Sequence, residues 1–338
     1  MRTICLKVPR GEAEYVRKKL LSDDLLDISL RIRGEGDYIY LPVREGIPDL
    51  GYETVEQDLE DRELATTDYR TLVDAPGEVR DRLPASFDVI GDVAIIRLED
   101  DLVDLAPSIG EALRRTFPRL RTVALDRGVK GELRVRDLEV VAGEEGTETT
   151  HLEYGVRLLI DPAKVYFNPR LSNERRRIAS LVRDGETVVD MFAGVGPFSL
   201  MIAKYARPEI VFAMDLNHDA VEYMKRNVAL NKVTNVLPIE GDARQLVFDV
   251  PCADRIIMNL PHSAREFFHD ALTRLKIGGM IHFYTICDRE DIDPILDRLV
   301  TEAAGMGVLI AILRREELKT YSPSMSVFSA DIGLVDWC

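Results

Sequence analysis

The sequence predicts an α/β protein. Its C-terminal half is a doubly wound, mostly parallel sheet, and two smaller α/β units precede it. Three observations carry this. From about residue 161 onward, apolar runs of strand length alternate with amphipathic helical stretches in βαβα order. Two of those runs, TVVD at 187–190 and RIIMN at 255–259, end in polar, turn-forming residues, as buried parallel strands do at the ligand edge of an open sheet. Upstream, a polar and acidic stretch at 46–68, broken by Pro48 and Gly51, interrupts any continuous sheet.

In chain order, 3–8 reads as a strand, 11–21 as a helix, and 30–32 and 38–42 as short strands, so 1–63 forms a small unit ending in the acidic stretch. A second unit spans 69–158. The runs at 87–90 and 93–98 flank Gly91-Asp92, a hairpin signal. An amphipathic helix follows at 107–117, then strands near 122–125 and 133–141, and one more over 151–160. The third unit, 159–338, gives strand 187–190, helix 197–204, strand 210–215, helix 218–231 and strand 236–240. Strand 255–259, helix 263–275, strand 279–284 and helix 293–304 follow, and an antiparallel pair at 308–313 and 325–334 closes it.

With 338 residues, the chain has room for two or three cores. Its content, 46% hydrophobic and 30% charged, is that of a soluble protein, and no apolar run reaches the roughly 18 residues a membrane span needs. The first twenty residues turn charged too soon for a signal peptide. Cys5, Cys252, Cys287 and Cys338 lack CxxC spacing, so neither a zinc site nor disulfides are expected, and a reducing cytoplasm fits. A net charge of −15 argues against a nucleic-acid partner, but the basic residues are clustered. One run extends from Arg114 through Arg115, Arg119, Arg121, Arg127, Lys130 and Arg134 to Arg136; another comprises Arg170, Arg175, Arg176 and Arg177. Each run alone is commonly a solvated face; two of them flanking one candidate site read as a local RNA footprint.

Gly194 and Gly196, in VVDMFAGVGPFSL, permit a tight turn and close backbone approach at a helix start. A nicotinamide fingerprint would need a third glycine where Ser199 stands. Asp215 ends the next strand, where a carboxylate can accept both ribose hydroxyls, and Asp242 ends the one after, where it can accept an adenine amine. Either Asp alone is more often a helix cap; three successive strand ends in this order point to a nucleoside cofactor. Asn259, with Pro261 beside it, faces the substrate. Together these edges suggest methyl transfer from S-adenosylmethionine to a ring nitrogen of a nucleobase.

YFNPRLSNERRRI, VVDMFAGVGPFSL, AMDLN, GDAR, IIMNLPHSAREFF and HFYTI, spread over 85–338, resemble the archaeal/eukaryotic-type tRNA (guanine-37 N1)-methyltransferase family. The 1–63 unit is similar, more weakly, to the extra N-terminal domain of the archaeal form. The resemblance implies a Rossmann-like S-adenosylmethionine-dependent methyltransferase domain behind two RNA-recognition domains. The partner it implies is tRNA, held at the anticodon region and, through the N-terminal unit, at the elbow. It further implies Glu174 as proton acceptor, Arg134 as the cation for guanine O6, Tyr166 as an aromatic near the cofactor and Arg175 as the partner of its carboxylate. Asn259 and Pro261 shape both pockets. By default Glu174 is a helix-start carboxylate, Arg134 a surface residue and Tyr166 a core aromatic.

His262 stands where many of the family carry a Lys, which leaves open methylation of a tricyclic guanine intermediate. Aminocarboxypropyl transfer at the same nucleotide and a noncatalytic RNA-binding module are the other readings. The Asn-Leu-Pro edge disfavours the first of these, and the intact Glu174, Asn259 and glycine loop disfavour the second. A monomer without metal is expected.

Overall fold

The structure is a computed structural model and describes residues 2–23, 25–44, 50–60, 68–131, 133, 135–322 and 324–337. Contacts divide the chain into two compact units, Met1–Asp68 and Tyr69–Cys338.

In the first unit, β1 (Arg2–Pro9), α1 (Ala13–Ser22), β2 (Arg33–Glu35), β3 (Tyr38–Pro42) and β4 (Glu53–Asp58) form a sheet of order β2-β3-β1-β4. Leu6, Val8 and Leu41 meet Val16 and Leu20 of α1 in its core. The strand expected at 30–32 lies three residues later. β4 was not expected: it sits inside the stretch read as an acidic break, and pairs antiparallel with β1 from Arg2↔Asp58 to Lys7↔Glu53. As a sheet edge with no fully buried position, it has no apolar alternation to betray it.

The second unit opens with α2 (Gly77–Asp81), β5 (Asp88–Ile90), β6 (Val93–Ile96), α3 (Ala106–Thr116), β7 (Thr122–Lys130) and β8 (Val135–Gly143). The Gly91-Asp92 hairpin is present, with Gly91 at φ +58°. The strand expected over 151–160 is instead a hairpin, β9 (Thr149–Glu153) and β10 (Val156–Ile160). Tyr154 and Gly155 turn it, both at positive φ, as a tight two-residue loop requires.

Then come α4 (Ser172–Leu181), β11 (Thr187–Asp190), α5 (Pro197–Tyr205), β12 (Ile210–Asp215), α6 (His218–Asn231), β13 (Val236–Glu240), α7 (Ala243–Asp249) and β14 (Ala253–Met258). They are followed by α8 (Phe268–Thr273), β15 (Leu275–Asp288), α9 (Ile292–Gly305), β16 (Val308–Thr320) and β17 (Met325–Trp337). The helix expected at 263–275 is shorter, because 264–267 forms a 3-10 turn before α8.

The large sheet has the order β13-β12-β11-β14-β15-β17-β16, parallel through β15, with β17 antiparallel to both neighbours. Strand order reverses between β11 and β14, which opens a crevice at their C-terminal ends. Ile90, Val93 and Ile95 share one core with Val188, Val211 and Ile257, so the β5–β8 sheet and the large sheet belong to one body. Asn227 and Asn231 of α6, one helical turn apart, supply the hydrogen bonds a neighbouring strand would give β10: Asn227 to Leu159 N–H (2.7 Å) and C=O (3.1 Å), Asn231 to Arg157. No helix among the described residues is long and apolar enough to cross a membrane.

Candidate active site

The glycine loop after β11 is built by conformation. Gly194 and Gly196 lie at φ +56° and +84°, and Gly196 precedes Pro197 at the first position of α5, so the amide-bearing end of the helix faces the crevice. A Cβ on Gly194 would stand 3.6 Å from the Tyr166 carbonyl, and one on Gly196 would press on Met224 at 3.0 Å. Asn227 donates to the Val195 carbonyl (3.1 Å) and holds the loop from behind.

Asp215, half-buried at the end of β12, accepts from Gly194 N–H (2.7 Å) on one oxygen and Asn217 N–H (2.9 Å) on the other. Burial pushes its pKa up, against those backbone bonds. Gly241 N–H reaches the Asp215 carbonyl (3.0 Å), bringing the Asp242 turn to the same edge. Asp242 caps α7 by accepting from Arg244 N–H (2.9 Å) with Oδ1.

Sequence reasoning passed over Asp190. It is fully buried at the end of β11; Ser199 donates to Oδ2 at 2.8 Å, while Oδ1 is buried without a hydrogen-bond partner. Desolvation pushes its pKa up to about 7, although the Ser199 bond works the other way. Its signal was an acid closing a wholly buried strand, directly after Val188 and Val189. A buried, unsatisfied carboxylate oxygen behind a glycine loop is what the ammonium end of an amino-acid-bearing nucleoside would satisfy. Three strand ends and this orphaned atom therefore fit such a cofactor.

Tyr166 is 45% exposed at the mouth of the loop and is not a core aromatic. Arg175 is only 1% exposed; it donates to Glu153 through Nε (2.8 Å) and Nη2, and through Nη2 to the Asn168 carbonyl (3.0 Å). Its guanidinium also lies 5.0 Å from the Phe167 ring. Arg175, expected as the partner of the cofactor's carboxylate, thus has Nε and Nη2 committed inside the protein, which leaves Nη1 for that role. The reading of 170–177 as an RNA-facing run changes with it: Arg175 and Arg177 point inward, while Arg176 stacks on Tyr205 at 3.5 Å. In the other run, Arg121, Arg127, Lys130 and Arg136 pair with acidic neighbours. Arg134 lies outside the described residues.

Glu174, 5% exposed in the first turn of α4, accepts from Arg177 Nε and Nη2, both at 2.7 Å, and from the Tyr284 hydroxyl at 2.9 Å. Burial and the Glu174 charge push the Tyr284 pKa up, so the phenol stays a donor. Met258 of β14 pairs with Phe283 of β15, so Asn259, one residue past the end of β14, comes level with Tyr284, whose hydroxyl donates to Glu174. Pro261 is pinned by Ile286 N–H at 3.0 Å, and His262 packs edge-on to Tyr321. A separate cavity of about 740 Å³, lined by Arg119, Arg121, Glu148 and His151 among others, is not at these strand ends.

Residues 149–309 match the family model for the TRM5/TYW2 methyltransferase domain; 72–147 match that for the TYW2 N-terminal domain, and 5–52 that for the tRNA methyltransferase 5 N-terminal domain. The chain is 42% identical over 325 residues to the tRNA (guanine(37)-N(1))-methyltransferase Trm5b of Pyrococcus abyssi, covering 95% of this chain and 96% of that one. The crystal structure of that wild-type protein superposes with a TM-score of 0.80 at 41% identity, covering 99% of this chain and 100% of its own. A complex of aTrm5 and tRNALeu gives 0.75 at 34% identity, over 98% and 100%. The tRNA(Phe) (4-demethylwyosine(37)-C(7)) aminocarboxypropyltransferase of Methanocaldococcus jannaschii is 34% identical over 71% of this chain and 94% of its own. This chain therefore belongs to the archaeal/eukaryotic-type tRNA (guanine-37 N1)-methyltransferase family and has its methyltransferase fold.

Proposed function

We propose that this protein methylates N1 of guanine 37 in tRNA, using S-adenosylmethionine, with Glu174 as the proton acceptor. Guanine N1 carries a proton and is not nucleophilic until that proton leaves, so a base must be positioned and charge must be relieved at O6. The observation that carries the reading is a buried carboxylate, Glu174, hydrogen-bonded to Tyr284, the residue level with Asn259 at the end of β14.

Bound S-adenosylmethionine supplies an electrophilic methyl group. Gly194 and Gly196 would admit its nucleoside, Asp215 would accept from the ribose hydroxyls, and Asp242 would take the adenine amine with the oxygen its cap leaves over. Tyr166 flanks the entrance. Arg175, through Nη1, would hold the carboxylate of the cofactor, and Asp190 would balance the charge of its ammonium. Asn259 accepts from the exocyclic amine of the base and Pro261 stiffens that edge. Glu174 takes the N1 proton; the freed lone pair on N1 would then accept the methyl group as the bond from that carbon to the cofactor's sulfonium sulfur breaks, the neutral thioether leaving. Arg134 is assigned to the charge on O6.

We assign 1–63 to tRNA docking, at the elbow, 69–158 to RNA recognition and 159–338 to chemistry, in a cytoplasmic monomer. Aminocarboxypropyl transfer is disfavoured, because the relative with that activity matches a smaller share of the chain at lower identity. The test is incubation of a guanine-37 tRNA transcript with labelled S-adenosylmethionine, followed by nucleoside mass analysis. N1-methylguanosine is expected; a transcript left unmethylated, or methylated at an atom other than N1 of guanine 37, overturns the assignment.

A further inference from the structure

Glu174 is the end of a buried chain of hydrogen bonds that crosses three strands. Arg177 grips Glu174 with Nε and Nη2, and grips Asp331 of β17 with Nη1 (2.7 Å) and Nη2 (3.1 Å). Asp331 meets His282 Nδ1 at 2.7 Å, directly across the β15–β17 register. His282 Nε2 lies 2.7 Å from Arg255 Nη1, and Arg255 holds Glu186 through Nε (2.8 Å) and Nη2 (3.1 Å).

The chemistry of the members fixes every proton. A guanidinium only donates, so His282 Nε2 must accept from Arg255; the ring is then neutral, and Nδ1–H donates to Asp331. Burial pushes the His282 pKa down, in agreement. Burial also opposes ionisation of Asp331, but the bonds from His282 and Arg177 outweigh it and hold the carboxyl well below the usual range. Three carboxylates, Glu186, Asp331 and Glu174, face two guanidiniums, Arg255 and Arg177, which leaves one surplus negative charge. A proton arriving at Glu174 cancels it.

A carboxylate offers about four lone-pair positions. On Glu174, Oε1 receives Arg177 Nη2 and the Tyr284 hydroxyl, and Oε2 receives Arg177 Nε. Among the described residues, one acceptor position remains, and it is on Oε2. Buried ion pairs add little net stability compared with apolar packing, so a chain this long, ending on one free acceptor, is better explained by what that acceptor does.

We propose that Arg177, Asp331, His282 and Tyr284 are positioning residues for proton transfer, which hold Glu174 so that Oε2 alone is open to the N1–H of the target base. This rests on the reading of Glu174 as the proton acceptor. Removing the Asp331 charge would leave the whole Arg177 guanidinium to Glu174, whereas removing the Tyr284 hydroxyl would take a donor away from the Glu174 carboxylate.

The two therefore pull in opposite directions, and the test uses that. Single-turnover methylation is measured against pH for the full-length protein and for Tyr284→Phe, Asp331→Asn and Glu174→Gln. Tyr284→Phe is expected to move the acid limb of the profile to higher pH, and Asp331→Asn to lower pH, each by on the order of one pH unit. Merely structural damage would lower the rate without opposed shifts. An unmoved limb in both variants, or shifts in the same direction, overturns the proposal. Should Asp331→Asn fail to fold, Tyr284→Phe alone decides, and an unmoved limb overturns it. If Glu174→Gln keeps both rate and limb, the proton-acceptor reading fails and the positioning role with it. If Glu174→Gln abolishes the limb while the other two leave it in place, only the positioning role fails.

Discussion

The backbone N–H of Gly194 donates to Asp215 Oδ2 at 2.7 Å, so the glycine loop and the neighbouring strand end form one rigid edge. Asp215 thereby orders the loop as well as offering oxygens to a ribose. Asp215→Ala should weaken S-adenosylmethionine binding by at least tenfold in calorimetry, since a lost charge-assisted hydrogen bond is worth roughly 1.5–3 kcal/mol. Unchanged affinity would remove Asp215 from the cofactor site.

Asn227 ties the same loop to β10 through the carbonyls of Val195 and Leu159. Asn227→Leu keeps the volume but leaves buried backbone groups unpaired, which costs about 1–3 kcal/mol. Chemical denaturation should show that loss, together with weaker cofactor binding. A stable variant with normal binding would mean that the loop is held by other contacts.

The raised pKa of Asp190, about 7, gives the cofactor-free protein a stability that depends on pH. The folded chain keeps a proton that the unfolded chain has already released, so stability falls as pH rises from the ordinary carboxylate range to about 7. Asp190→Asn should flatten that slope and be the more stable form at pH 8, by up to about 4 kcal/mol at 1.36 kcal/mol per unit. Urea melts at pH 5 and 8 check this; parallel pH dependence in both proteins would show that Asp190 is ionised throughout.

Removal of residues 1–68 leaves a compact unit with its own cores. If the first unit only docks tRNA, the truncated protein should show a KM for tRNA raised on the order of tenfold or more, as expected when one of two linked contacts is lost. Its saturated turnover should change little. A folded truncation with collapsed turnover would place the first unit in the chemistry.

The parallel strands and the glycine loop were legible because their signals are local: apolar runs, closing acids, glycine before proline. What escaped was set by distant partners. β4 is polar because it is an exposed edge, and its pairing with β1, about fifty residues away, leaves no periodicity. The ion pair of Arg175 with Glu153 left no trace in the sequence, because Glu153 is 22 positions upstream on another element. The chain of hydrogen bonds behind Glu174 had a visible trace, since His282 and Asp331 are charged or titratable residues amid apolar neighbours, MIHF and ADIG. Only the β15–β17 register shows that the two face each other.

The measurement that tests the central claim most directly is single-turnover methylation of guanine-37 tRNA by Glu174→Gln. Glutamine keeps the size of the side chain and can still accept from Tyr284, but it cannot take up the N1 proton. General-base catalysis contributes about 10²–10⁴-fold, so the rate should fall by roughly two orders of magnitude or more, with tRNA and cofactor affinities near those of the unmodified protein. Methylation at the original rate would show that Glu174 is a structural carboxylate of the α4 turn and that the proton leaves by another route.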